Sequence, residues 1–226
     1  MSEPITPDAA PSPAPELTCC KPAGRPRAAD KEARLQDLLA TSAQLFLQHG
    51  YGKVSLEMIA REAHVAVRTI YVKFGGKVGL LSAIIESGRE RYFGNMDALE
   101  SDPRPLEQVL ADFSARLVEL ITTPSVVNLN RMVIAEAKTH PELAATFNQA
   151  GPGLTRDLLG RFFARPDIKA RFRPEVPHEM LAVHLINCLI GDQLSRLLFE
   201  PGAINEEEKR KKVELGLDLF LRSTLR

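Results

Sequence analysis

The sequence predicts an all-α protein in two parts, a small N-terminal three-helix unit and a larger helical unit behind it. Three observations carry that prediction. Apolar residues recur three and four positions apart from Asp30 almost to the C-terminus, the period of helices that bury one face. No stretch alternates apolar and polar residues as a half-buried strand would. Glycine or proline punctuates the periodic runs where helices should end. The chain has 226 residues, 44% of them hydrophobic, which is enough to fill a core in each part. No apolar run approaches the ~18 residues of a membrane span, and no apolar leader opens the chain, so a cytoplasmic protein is expected, with no membrane partner. Cys19 and Cys20 are adjacent and Cys188 is far away, which resembles neither a disulfide framework nor a paired-cysteine metal site.

Residues 1–27 hold seven prolines and no apolar period, which predicts a disordered tail that ends in the basic arm "GRPR", with Arg25 and Arg27 flanking Pro26. Residues 28–77 read as a three-helix unit. Leu35, Leu38, Leu39, Ala43 and Phe46 form the stripe of its first helix, closed by Gly50. Ser55 is placed to cap the second helix, with Glu57 in its first turn and Leu56, Ile59, Ala60 and Ala63 inward. A short break precedes the third helix, Val67 to Phe74, which ends at Gly75 and Gly76. Residues 78–226 form the second part, with the fourth helix, from near Lys77 to Phe93, as the link. Stripes then predict helices from Leu106 to Pro124, from Val126 to Thr139, and from Glu142 to Phe163 with a kink at "AGPG", Ala150 to Gly153. Two long helices, His178 to Phe199 and Glu206 to Leu225, close the chain.

Charge is distributed unevenly along a chain of zero net charge. Residues 1–20 carry −3, residues 21–77 carry +5, and the remainder carries −2. A basic segment followed by a slightly acidic one suggests that the first part meets a polyanion. The third helix fits this. With Val65, Ile70 and Phe74 turned to the core, Arg68, Thr69, Tyr71 and Lys73 are left on the open side. A two-turn helix, a tight turn and a basic second helix make a helix-turn-helix, whose second helix enters the major groove of double-stranded DNA. Arg68 suits guanine and Thr69 a base edge or a thymine methyl. Tyr71 and Lys73 suit phosphate, as do Ser55 and the free N–H groups that open the second helix. An ordinary amphipathic helix pair within a core is the competing reading of the same pattern.

The stretch "GYGKVSLEMIAREAHVAVRTIYVKFGGKVGLL", Gly50 to Leu81, resembles the DNA-binding segment of TetR-family transcriptional regulators. The resemblance rests on Gly50, Tyr51, Ser55, Ile59, Ala60, Val65, Thr69, Ile70, Tyr71, Phe74 and Lys77, and extends over about residues 30–80. It implies that Lys77, which opens the fourth helix, sits beside DNA. Four positions depart from the family pattern. His64 stands where glycine is usual, which implies a strained turn. Ala66 replaces a serine, so this position of the DNA-facing set loses an N-cap. Lys73 replaces a common histidine and Arg68 a small residue, so the operator should be its own.

"VIAEAKTHPELAATFNQAGPG", Val133 to Gly153, is similar, more loosely, to the C-terminal domain of an AefR-like subgroup. That similarity implies a helical domain that dimerises through its last two helices and holds a small effector. The stripes are rich in Leu, Ile, Val and Phe, so a mainly apolar effector is expected, with Phe113, Met132, Glu136, Phe147 and His184 as candidate walls; each fits plain core equally well. The last two helices are apolar on more than one side, which puts Leu185, Leu189, Leu197, Leu217 and Phe220 in a homodimer interface. His184, Cys188 and Asp192 fall on one helix face, but no further His or Cys lies near them, and no metal is expected. "KRKK", Lys209 to Lys212, follows "EEE" and reads as paired charges on a wet face. No Walker loop, dinucleotide fingerprint or nucleophile elbow is present, so no cofactor is expected and an all-α enzyme is the remote alternative. The sequence-level conclusion is a ligand-responsive repressor acting as a homodimer on a palindromic operator, with an activator or dual regulator of the same build as the alternative.

Overall fold

The computed structural model describes residues 28–94, 99–200, 202 and 204–226. Arg25, Arg27, Cys19 and Cys20 lie outside the described residues. The described chain forms α1 (Ala28–His49), α2 (Leu56–Glu62), α3 (Val67–Phe74), α4 (Lys77–Phe93), α5 (Leu106–Thr122), α6 (Pro124–Glu136), α7 (Pro141–Asn148), α8 (Leu154–Ala164), α9 (Pro166–Lys169), α10 (His178–Ile190), α11 (Gln193–Phe199) and α12 (Glu206–Thr224). No named strand occurs among the described residues; a single antiparallel bridge joins Phe172 to Leu225 and ties down the end of the chain.

The helix starts follow from local chemistry. The Met58 N–H donates to Ser55 Oγ at 3.2 Å, so Ser55 caps α2 as its sequence position suggests. Asn205 and Glu208 make a reciprocal capping box on α12, each side chain accepting from the other's backbone N–H. Proline opens α6, α7 and α9, where its missing N–H costs nothing.

Two apolar cores form. The first gathers Leu38, Leu39 and Phe46 of α1, Ile59 of α2, Ile70 of α3, and Leu80, Leu81 and Ile85 of α4. It is completed from the second part of the chain by Met132 and Val133 of α6, Leu143 of α7, and Ala150. The second core runs from Phe93 to Phe220 and centres on Phe162, Phe163, Phe172 and Phe220. Phe163 meets Phe172 edge-on at 5.5 Å and Phe220 at 5.9 Å between ring centroids.

Three expectations change. The kink at "AGPG" is a π-helical turn, Gln149–Gly153, which carries α7 into α8. Pro152 has no N–H to give, and the wider turn accommodates it without breaking the helical path. The penultimate long helix is two helices. Gly191, at φ +49°, ends α10 in a backbone conformation that only glycine adopts easily, and α11 starts afresh two residues later. Close approach of helices occurs at Gly216 of α12, where a Cβ would sit 2.6 Å from the Cys188 carbonyl oxygen.

The third change concerns the interface residues. Leu185, Leu189 and Phe220 are 0% exposed and Leu197 is 6% exposed within a single chain, and Leu217 packs against the same core as Leu185. The two-sided apolarity of these helices is used up inside the subunit, because α10 is sandwiched between α8 and α12. The residues that α10 and α12 leave outside include Met180, His184, Leu215 and Leu219.

Candidate nucleic-acid interface and the cavity beside it

α2 and α3 meet through a turn at His64, whose φ of +52° is in the left-handed region. The strain expected of a non-glycine residue there is present. The turn is held because the Val65 N–H donates to the Ala60 carbonyl at 2.9 Å. Ala66 caps α3 with its carbonyl alone, which accepts from the Thr69 N–H at 2.8 Å; no side chain assists. Ile70 is fully buried and anchors the helix, while Val67 and Phe74 are half-buried. Ala66, Arg68, Thr69, Tyr71 and Lys73 are all exposed. So is Val72, 76% exposed. Sequence reasoning passed over Val72, although its place two residues after Ile70 turns it about 200° away from the core, and a lone apolar group there is suited to a thymine methyl.

Lys77 is arranged differently from the expectation that it lies open beside DNA. Its ammonium donates to the Tyr51 carbonyl at 2.6 Å and the Val54 carbonyl at 2.9 Å, and it sits 4.1 Å from the centre of the Tyr51 ring. It ties the loop before α2 to the start of α4. Burial pulls its pKa below the usual lysine value, while Glu136 and Glu142 act against that.

Glu136 completes the same arrangement from the other part of the chain. Its carboxylate accepts from the Tyr51 and Gly52 N–H groups, each at 2.7 Å. His140, one helical turn on, packs edge-on to Tyr51 at 5.5 Å and lies 3.3 Å from the Glu142 carboxylate. The Tyr51 hydroxyl is pushed up to about 12 by burial first, and then by the charges of Glu142 and Glu136. Glu136 is therefore a clasp between the two parts of the chain, where the sequence reading had placed it on a ligand wall. The "GYG" at residues 50–52 was the available signal. A Cβ at Gly50 would lie 2.6 Å from one Glu136 oxygen, and one at Gly52 would lie 2.7 Å from His140 Nε2, so a larger residue at either position would push these side chains aside.

A cavity of about 570 Å³ opens between the first three-helix unit, with α4, and the second part of the chain. Its floor is α1, through Leu39, Ala43 and Leu47, and one wall is α4, through Leu81, Ile84 and Ile85. Leu117 and Ile121 of α5, Phe147 of α7, Pro152 of the π turn and Ile186 of α10 close it. Of the candidate wall residues, Phe147 lines it. Phe113 is sealed in the second core and Met132 in the first, Glu136 holds the clasp, and His184 is exposed on the outer side of α10. The cavity thus lies on the boundary between the two parts, where a stripe read one helix at a time gives no signal.

Among the described residues, no helix is long and apolar enough to cross a membrane. Residues 38–84 match the family model of bacterial regulatory proteins, tetR family, and residues 108–223 match that of the AefR-like transcriptional repressor, C-terminal domain. The chain is 30% identical over 104 residues to the HTH-type transcriptional repressor ComR of Escherichia coli, a match that spans 46% of this chain and 48% of that repressor. It shares its fold with a TetR-family regulator of Mesorhizobium loti at a TM-score of 0.70 and 18% identity, covering 86% of this chain and 98% of the other. A structure of SmeT in complex with triclosan gives 0.63 and 21% identity, covering 86% and 92%. A helix-turn-helix with an outward polar recognition face, joined to an AefR-like helical domain, establishes the chain as a member of the TetR family of transcriptional regulators.

Proposed function

We propose that this regulator is a ligand-responsive repressor that works in the cytoplasm as a homodimer, with α3 of each subunit in the major groove of one half of a palindromic operator. The observation that carries the ligand response is the position of the cavity. Its floor is α1, which packs on α2 within the reader, and its wall is α4, which follows the recognition helix. A molecule that fills it pushes on the reader directly. Two α3 helices bound to half-sites about one DNA turn apart tolerate little displacement, so a small shift of α1 and α4 releases the operator. The match to an AefR-like repressor domain supports repression as the sign of regulation. A related fold solved in complex with triclosan supports a small, mainly apolar effector.

Arg68 and Val72 read bases in this proposal, while Tyr71, Lys73 and the start of α2 hold phosphate. Arg25 and Arg27 follow the minor groove. Lys77 contributes by fixing the loop that presents α2. The homodimer forms through the outer sides of α10 and α12, with Met180, His184, Leu215 and Leu219 at the two-fold contact.

The test starts by selecting operator sequences from a random DNA pool with the purified protein. A reporter driven from the selected operator should rise when the gene is deleted; a fall would make the protein an activator. Sedimentation should give a dimer, and Leu215→Glu with Leu219→Glu should give a monomer that no longer holds a full operator. A wild-type monomer at micromolar concentration would end the two-fold reading.

A further inference from the structure

We infer that the effector is an amphipathic anion, a carboxylate on an apolar body, and that Arg89 of α4 receives its head. This rests on the proposal that the cavity between reader and regulatory domain is the effector site. Arg89 lines that cavity, and its Nη1 is sealed from solvent with no hydrogen-bond partner. A guanidinium carries five N–H donors, and the two on Nη1 are covered by protein and unpaired, which is expensive; turning the fork toward an anion in the cavity removes that cost.

The rest of the lining makes this omission specific. Ser87 donates to Gln36 at 3.1 Å, Asn130 to the Val126 carbonyl at 2.9 Å, and Thr155 to the Gly151 carbonyl at 3.1 Å. Arg156 donates to Asn148 at 3.3 Å. The remaining polar residues of the lining, Gln44, Arg91 and Ser125, are exposed to water. Arg89 alone among the polar lining residues has a donor that is neither bonded nor wetted. Among the described residues no Asp or Glu lines the cavity, whereas Arg89, Arg91 and Arg156 do. The site therefore offers cations with no internal counter-ion, in walls otherwise built of Leu, Ile, Val and Phe.

A planar, forked cation pairs best with a planar anion that accepts two parallel N–H bonds, which a carboxylate does. A fully apolar effector would fill the volume and leave the Nη1 donor unpaired. A neutral alcohol would offer one weaker acceptor. The head group thus distinguishes molecules that the apolar walls treat alike.

The test compares binding of linear carboxylates, hexanoate through tetradecanoate, with the alcohols of matching length. Calorimetry on the full-length protein is done below the micellar limit. Wild type should prefer the carboxylate of its best-fitting length over the matching alcohol by roughly tenfold to hundredfold, the range of a hydrogen bond to a charged group. Arg89→Met keeps the length of the side chain and removes the charge. It should abolish that preference while still binding the alcohol, which also shows that the cavity is intact. Arg89→Lys, a cation without the fork, should keep part of the preference. Equal affinity of wild type for acid and alcohol, or an unchanged preference in Arg89→Met, would overturn the head-group assignment and leave the apolar site standing. Failure of wild type to bind any member of either series would overturn both.

Discussion

Replacing Glu136 by Gln keeps the size of the side chain and removes half of the clasp. The carboxylate accepts from two adjacent N–H groups, Tyr51 and Gly52, at 2.7 Å each. An amide has one oxygen to accept with, so its NH₂ must face an N–H donor. A hydrogen bond to a charged group is worth ~1.5–3 kcal/mol net. The Glu136 side chain is 22% exposed, so water competes for it and the low end applies. The loss should be about 1.5 kcal/mol, which for a chain of this size lowers Tm by roughly 3–6 °C. Lys77 grips the same loop from the other side. A double-mutant cycle of Glu136→Gln with Lys77→Met should therefore show a coupling of about 0.5 kcal/mol or more, because both residues hold the turn at Tyr51. Thermal melts followed by circular dichroism supply all four corners. A Glu136→Gln protein that melts within about 1 °C of wild type, against the shift expected for its size, would mean the clasp holds little, and the two parts would be joined by α4 and the shared apolar core.

Arg68→Ala should relax preference at one operator position at a cost of ~1–3 kcal/mol, whereas Lys73→Ala should weaken all sequences alike and flatten the salt dependence by about one unit; equal losses on every operator variant for Arg68→Ala would refute the division. His64→Gly should stabilise the protein by roughly 0.5–1 kcal/mol in urea melts, because the left-handed turn then costs nothing. Gly216→Ala should destabilise by ~1–3 kcal/mol by forcing α12 off the Cys188 carbonyl, read as a lower urea midpoint. Tyr51 should ionise only near pH 12, so the folded state binds more protons than the unfolded chain once pH passes about 10. Stability should then fall between those values, and Tyr51→Phe should flatten the fall; identical pH profiles for the two proteins would refute it.

The reader was legible because each of its parts has a local cause. Ser55 caps within three residues, Ile70 is the inward member of one short helix, and His64 occupies a turn whose need is written in its own φ. The interface and the effector wall were not legible for the opposite reason. Leu185, Leu189 and Phe220 carry an apolar signal that says only "bury me", and α8 and α12 satisfy it from the same chain. The apolar stripe of α1, read as the inner face of the reader, also floors a cavity shared with α5 and α10. Glu136 looked like a polar residue near a pocket, because its partners are backbone N–H groups 84 and 85 residues away that no side-chain pattern announces. Arg89 stands among the charges of α4 and is distinguished only by what its Nη1 lacks.

The first core is closed by Met132, Val133, Leu143 and Ala150, which belong to the other part of the chain. Anyone building a biosensor by grafting this reader onto a foreign sensing domain should therefore place the junction with care. A cut after Lys77 would strip the roof from the transplanted piece and leave its apolar residues facing water. A chimera that carries α6, α7 and the π turn along with residues 28–93 keeps its own lid, and its specificity for DNA can then be exchanged as one sealed cassette.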